Sequence, residues 1–165
     1  MIKLILGFAI VAFGGFLGYF LSKKYRKRKD FFCQMSLFNE RFLMEIGYYR
    51  RPLTKFLTAY PYKGEFDFLL QYFYQSLIDS SKERGGFELK KEEVGILTAD
   101  ELAFVKDYFQ TLGRGNSSSQ KSYFSTAKTQ VDTYREKSET ECKRYGDLYI
   151  KLGILMGIAV LIFIV

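Results

Sequence analysis

An uncharged segment near the start of the chain, followed at once by a cluster of cations, is the feature that most constrains the fold. Residues 4–22 carry no charged side chain. As a helix they would be about 28 Å long, close to the thickness of the hydrocarbon core of a bilayer. Six cations follow within seven positions: Lys23, Lys24, Arg26, Lys27, Arg28 and Lys29. Because cations accumulate on the cytoplasmic side of membrane helices, we predict a transmembrane helix over 1–22, a basic juxtamembrane collar over 23–29, and an external N-terminus.

A secretory signal peptide is the alternative interpretation of this segment. Signal peptides carry their cations before the apolar core, where only Lys3 lies, and they end in small residues at a cleavage site, which residues 18–24 lack. We therefore expect an uncleaved anchor. Gly14 and Gly18 lie four residues apart and would let another helix approach closely, although glycine is also common in membrane helices without such a role.

A second apolar segment lies at the other end of the sequence. Residues 152–165 are uncharged and would reach only about 21 Å as a helix, whereas counting from Leu148 gives about 27 Å if Lys151 extends to the membrane surface. We predict a C-terminal transmembrane helix over 148–165, with a buried core helix as the alternative. Two spans would place both termini outside and residues 30–147 in the cytosol. Residues from Ser117 to the end of the sequence could then form one continuous helix that enters the bilayer.

The apolar residues between these segments recur at helical spacing. In the first stripe they are Phe31, Met35, Phe38, Phe42, Ile46 and Tyr49, with Asn39 on the opposite face. Further helices are expected over about 53–60 and 65–82, and after two capping-box patterns, Thr98 with Glu101 and Ser117 with Gln120. Residues 89–94 are compatible with a short helix. The predicted fold class is all-α: a cytosolic antiparallel helical bundle of about five to six helices over 30–147, between two transmembrane helices.

Charge and composition argue against nucleic-acid binding and against catalysis. Residues 30–147 hold 17 cations and 18 anions, so the net charge of +7 comes from the ends of the chain. The chain has no histidine, and Cys33 and Cys142, placed in the cytosol, are expected to be reduced thiols that pack as small apolar side chains. The glycine-containing loops lack the lysine and spacing of a phosphate-binding loop. We predict no catalytic, cofactor-binding or metal site, and no enzymatic activity.

Several local patterns, taken together, resemble the stage III sporulation protein AB family of endospore-forming bacteria. They are Lys3-Leu4, Glu45-Ile46 with Tyr48, Pro52-Leu53, Leu112-Gly113 followed by Gln120, and the ending from Tyr149 to Gly157. The sequence departs from the family pattern at Asn116, where aspartate is expected, and at Tyr49, where glycine is usual. The tyrosine argues against a tight turn before Pro52.

The resemblance implies a mother-cell membrane protein of the stage III channel complex, which connects mother cell and forespore. It also implies a cytosolic domain similar to the helical domains of type II secretion platform proteins, docking a cytosolic ATPase, the stage III sporulation protein AA. Candidate partner contacts lie on two loops and a helix start: Arg50, Arg51, Pro52, Leu53, Gly113, Arg114, Asn116 and Gln120. Purely local cap and turn roles are the alternative for these residues. The alternative function is a stand-alone membrane-tethered scaffold or an anionic-lipid-binding protein that uses the basic collar, whose six cations are candidates for lipid contact as well as for fixing topology.

Overall fold

Helices account for most of the residues that the structure describes. A computed structural model describes residues 2–49, 51–80 and 94–164, and the side chains of 11–49, 51–78 and 94–162. The α-helices, in chain order, are α1 Ile2–Met44, α2 Leu53–Leu57, α3 Gly64–Ser80, α4 Ala99–Thr111, α5 Ser117–Glu141 and α6 Asp147–Ile164. Two π-helical segments, Glu45–Tyr49 and Cys142–Gly146, follow α1 and α5. The all-α class is confirmed for this part of the chain, and Arg50 and residues 89–93 lie outside it.

The first and last helices run further than separate anchors and bundle helices would. Helix α1 continues without a break from the apolar segment through the basic residues to Met44. The last helical run is likewise continuous from Ser117 to Ile164, with the second π segment inside it. The predicted extension of the first stripe to Tyr49 is wrong, because the π turn after Met44 is wider than an α turn and changes the face that follows. Tyr49 is 68% exposed.

The chain divides into two compact units. One consists of Asp30–Glu136, and the other joins Met1–Lys29 to Lys137–Val165. We call them the middle unit and the terminal unit. The predicted domains were drawn by expected membrane location and place the second boundary at 147–148 instead. Those domains stay predictions.

The middle unit is built around an aromatic core. The α1 stripe residues Phe31, Met35, Phe38 and Phe42 are at most 4% exposed, as the helical period predicts. They pack against buried side chains of the other helices: Phe56, Phe66, Leu69, Phe73, Val105, Tyr108, Phe109, Phe124 and Val131. Most of the contacts between rings are edge-on or tilted, an arrangement that suits the charge distribution of aromatic rings.

A buried amide connects three helices inside this core. Asn39 of α1 is fully buried; its Oδ1 accepts a hydrogen bond from the Tyr108 hydroxyl of α4 at 2.8 Å. Its Nδ2 donates to the backbone carbonyl oxygen of Phe124 in α5 at 3.2 Å. The prediction that Asn39 lies on the polar face of its helix is therefore wrong. The amide is buried because both of its ends have partners, which removes the cost of burying it.

The predicted capping box at the start of α4 is confirmed. The Glu101 backbone N–H donates to Thr98 Oγ1 at 3.4 Å, and the Thr98 backbone N–H donates to Glu101 Oε2 at 2.9 Å. Glu101 is only 1% exposed, so the cap also explains how a carboxylate is accommodated in the interior.

In the terminal unit, α1 and α6 pack backbone to backbone. A Cβ atom added to Gly14 would overlap the carbonyl oxygen of Gly153, and one added to Gly18 would overlap the carbonyl oxygen of Tyr149. The prediction that these two glycines admit another helix is confirmed, and the helix is the chain's own α6. Residue numbers fall along α6 as they rise along α1, so the two helices form an antiparallel pair.

Candidate functional site

The two segments predicted as partner contacts lie together at one cavity of the middle unit. Its volume is about 210 Å³. The corner cavity, as we call it, is lined by residues from the end of α1, from α2 and from the loop before α5: Phe42, Glu45, Ile46, Arg51, Leu53, Phe56, Gly113, Gly115, Ser117 and Gln120. Four predicted contact residues are in this lining, namely Arg51, Leu53, Gly113 and Gln120. Pro52, Arg114 and Asn116 are their immediate neighbours in the chain.

A contact between Leu53 and Gly113 joins the two sides of the cavity. Gly113, which follows α4, has a φ angle of +78°, the left-handed conformation in which glycine commonly ends a helix. A Cβ atom at this position would lie 2.5 Å from Leu53 Cδ2, so the leucine occupies the space that a side chain would need. Glycine is favoured at 113 by its backbone conformation, and any larger residue would also have to displace the Leu53 side chain.

The loop before α5 is held by its own polar groups. The Asn116 side chain accepts a hydrogen bond from the Ser119 backbone N–H at 2.8 Å, and Gln120 Nε2 donates to the Arg114 carbonyl oxygen at 2.9 Å. The predicted capping box at Ser117 and Gln120 is wrong, because Asn116 caps the helix one residue earlier and asparagine is among the best capping residues. The Arg114 side chain is exposed.

One of the residues that line the cavity is a buried carboxylate, Glu45. Glu45 is 3% exposed and pairs with Arg51, whose side chain is 40% exposed. Arg51 donates to it through Nε at 2.9 Å and Nη2 at 2.6 Å, and through its backbone N–H at 3.0 Å. These hydrogen bonds from Arg51 lower the pKa of the Glu45 carboxyl despite its burial. The guanidinium of Arg51 also lies over the Tyr49 ring, 5.3 Å from its centroid.

Acid should weaken this pair. Because the folded-state pKa of Glu45 is depressed, its contribution to stability is present above the ordinary pKa of 4.5 and is lost as the pH falls through the folded value. We expect Glu45→Gln to lower the thermal midpoint at pH 7, and the difference from the unmodified protein to shrink steadily below pH 4.5. Thermal denaturation between pH 3 and 7 measures this. The matched control is Glu40→Gln, which removes an exposed pair with Lys128 and should change little at any pH.

Sequence reasoning missed Glu45, although its spacing held a signal. It follows Phe38 and Phe42 at steps of four and three, which puts it on the buried face of its helix, and a carboxylate there requires a partner. The sequence analysis names the partner, Arg51, only as a candidate partner contact and predicts no pairing with Glu45.

The basic collar is not uniform. Lys23, Lys24, Arg26 and Lys27 are exposed and Lys29 is half-buried, whereas Arg28 is 6% exposed. The Arg28 guanidinium pairs with Glu141 of α5 inside the terminal unit. Arg28 is thus the collar residue least accessible to a lipid headgroup.

Cysteine and carboxylate positions give no metal site in the described ranges. No group of three or more cysteine, aspartate or glutamate side chains that could hold a metal ion occurs among residues 2–49, 51–80 and 94–164. Cys33 and Cys142 are not joined by a disulfide bond, and both are half-buried. The arrangement of the corner cavity offers apolar surface and an exposed arginine, which are features of recognition surfaces.

Taken as a class, this is an all-helical protein with a candidate membrane-spanning helix. In the part of the chain that the structure describes, residues Ser117–Ile162 form a helix long and apolar enough to cross a membrane, and only 11% of its most apolar stretch is buried. The family model of stage III sporulation protein AB matches residues 3–165. The chain belongs to this family, and the resemblance noted from the sequence is confirmed. No curated protein and no solved structure matches the chain.

Proposed function

We propose that the chain is a two-span membrane platform of the stage III sporulation channel complex, and that its corner cavity docks a cytosolic partner. By resemblance the partner is the ATPase, stage III sporulation protein AA. Family membership supports a role in stage III sporulation. The observation that carries the docking proposal is that two loops, 60 residues apart in sequence, border a single open cavity.

The exposed apolar surface of the terminal unit supports the two spans. On α6, Leu155, Met156 and Ile162 are 61–73% exposed, which a buried core helix would not allow. On α1, Phe13, Phe16 and Phe20 are 63–65% exposed. Such surface in contact with water would be strongly unfavourable, whereas lipid tails would cover it.

The level at which the apolar segments end also supports this topology. Ser22, the last uncharged residue of the first segment, lies against Gly146, two residues before Leu148 begins the second. Both apolar segments therefore leave the proposed bilayer at the same level. With the cations of the collar on the cytosolic side, the middle unit lies in the cytosol and both termini lie outside. No catalytic role is part of this proposal.

Docking is tested by measuring the affinity of the full-length chain, reconstituted in lipid nanodiscs, for the purified ATPase. Arg114→Glu reverses an exposed charge on the cavity loop and should weaken binding by at least about tenfold, equivalent to about 1.4 kcal/mol. Leu53→Ala, which enlarges the cavity, should also weaken binding.

The control for this experiment is Lys63→Glu, the same charge reversal at an exposed position of the middle unit outside the cavity lining. It should bind within about twofold of the unmodified chain. Equal affinity of Arg114→Glu and Lys63→Glu would overturn the docking site. Absence of any binding by the unmodified chain would overturn the choice of partner and favour the scaffold alternative.

A further inference from the structure

We infer that exposed cations from both helices of the terminal unit form one binding surface for anionic phospholipid headgroups. Four residues carry the argument: Lys23 and Lys24 on α1, and Lys143 and Arg144 on the second π segment. All four are exposed. The inference rests on the proposed two-span placement in the membrane and not on docking of the ATPase.

The two pairs of cations lie at the same level of the helix pair. The Tyr25 ring, next to Lys24 in the chain, is 5.5 Å from the Tyr145 ring, next to Arg144. Tyr25 also stacks on Tyr149 at 5.8 Å. These contacts hold Tyr25 beside Tyr145. The two cations that precede each tyrosine in the chain are therefore placed at the same end of the apolar helices.

The charge of the whole chain is concentrated in this unit. Residues 1–29 and 137–165 hold eleven cations and three anions, a net charge of +8, whereas residues 30–136 hold fourteen cations and fifteen anions. Of the three anions, Glu141 is paired with Arg28, Glu139 is half-buried and Asp147 is exposed. The exposed cations near Tyr25 and Tyr145 therefore outnumber the exposed carboxylates.

The surroundings of these cations suit a lipid better than a soluble anion. They adjoin the exposed apolar side chains that we place in the bilayer, and tyrosine and arginine lie among them as at membrane interfaces. Arg26 lies over the Tyr19 ring at 5.8 Å, and Arg144 over the Tyr145 ring at 5.5 Å. A headgroup phosphate at this level would meet cations from both helices while its acyl chains lie along α1 and α6.

Native mass spectrometry of the full-length chain in detergent, titrated with phosphatidylglycerol or phosphatidylcholine, tests the inference. We expect phosphatidylglycerol to bind at least about tenfold more tightly than phosphatidylcholine and to saturate at a fixed number of bound lipids per chain. Its affinity should fall as the salt concentration is raised. Lys143→Gln/Arg144→Gln should weaken phosphatidylglycerol binding at least about fivefold, as should Lys23→Gln/Lys24→Gln. Lys55→Gln/Lys63→Gln removes the same charge from the middle unit and should leave binding unchanged.

Lys143→Gln/Arg144→Gln is the variant that tests whether the surface is shared, because positions 143 and 144 lie outside the collar. Normal lipid binding by Lys143→Gln/Arg144→Gln, with helix content and elution volume unchanged, would overturn a shared surface. Displacement of the lipid by millimolar glycerol phosphate at constant ionic strength would overturn the lipid as ligand and indicate a site for soluble phosphate. Equal affinity for the two lipids would also overturn the inference.

Discussion

Replacing Phe38 with alanine should lower the free energy of unfolding by about 3–5 kcal/mol, the usual cost of deleting a buried phenylalanine side chain. Phe38 is fully buried at the centre of the aromatic core. Its ring contacts six others, with centroids 5.3–6.4 Å apart: Phe42, Phe56, Tyr62, Phe66, Tyr108 and Phe109. Truncation would remove all of these contacts. It would also leave a cavity, because the surrounding helices can move only partly into the space.

Denaturant unfolding of the full-length chain in detergent, followed by circular dichroism, measures this effect. Phe68→Ala is the matched control, because Phe68 is 58% exposed and its loss should change the free energy of unfolding by less than about 0.5 kcal/mol. A similar loss in both variants would contradict the core described above.

Gly14→Ala should disrupt the packing of α1 on α6. The added methyl group would overlap the Gly153 carbonyl oxygen, and backbone atoms cannot rotate away as a side chain can, so the two helices must separate. Overpacking of this kind costs about 1–3 kcal/mol, and in a membrane it removes the close approach on which helix association depends. A lower thermal midpoint of the full-length chain in detergent is expected.

The neighbouring glycine supplies the control. A Cβ atom on Gly15 would meet only the Ile154 side chain, at an ordinary contact distance of 3.6 Å, so Gly15→Ala should be close to neutral. Gly153→Ala should behave as Gly14→Ala does, because its Cβ would overlap the Gly14 carbonyl oxygen. If alanine at 14 and at 15 had the same effect, the contact between the two backbones would be refuted.

The helical period predicted much of the fold because most of the core consists of local repeats. Steps of three and four placed Phe31, Met35, Phe38 and Phe42 on one buried face, and local capping chemistry placed the start of α4. What failed depends on partners distant in sequence. The sequence places Asn39 on the polar face of its helix, because nothing near it in the chain indicates its partner Tyr108.

The candidate site divides in the same way. The sequence indicates each loop separately, because proline and glycine are typical loop residues and stand at Pro52 on one side and Gly113 on the other. Their meeting depends on Leu53 fitting against Gly113, a contact across 60 residues that no period encodes. The burial of Arg28 was unpredictable for the same reason, since its partner Glu141 lies 113 residues away.

The second π segment has a consequence for how this chain tolerates insertion and deletion. Ser138, Gly146 and Gly153 all contribute to the interior of the terminal unit, yet the first spacing is eight residues and the second is seven. At 100° per residue, eight residues of α-helix would overshoot the common face by about 80°, and the extra residue held in the π turn absorbs the excess. Removing one residue between 142 and 146 would restore a regular helix without forcing Gly153 and Gly157 out of alignment with Gly146. Ser138 would then precede that glycine by seven residues, which at 100° per residue brings the two within about 20° of the same face. The π segment thus keeps Ser138, Gly146 and Gly153 on one face of the last helix. The number of residues in this helix is constrained by the face that each residue presents as well as by the length that the helix must span.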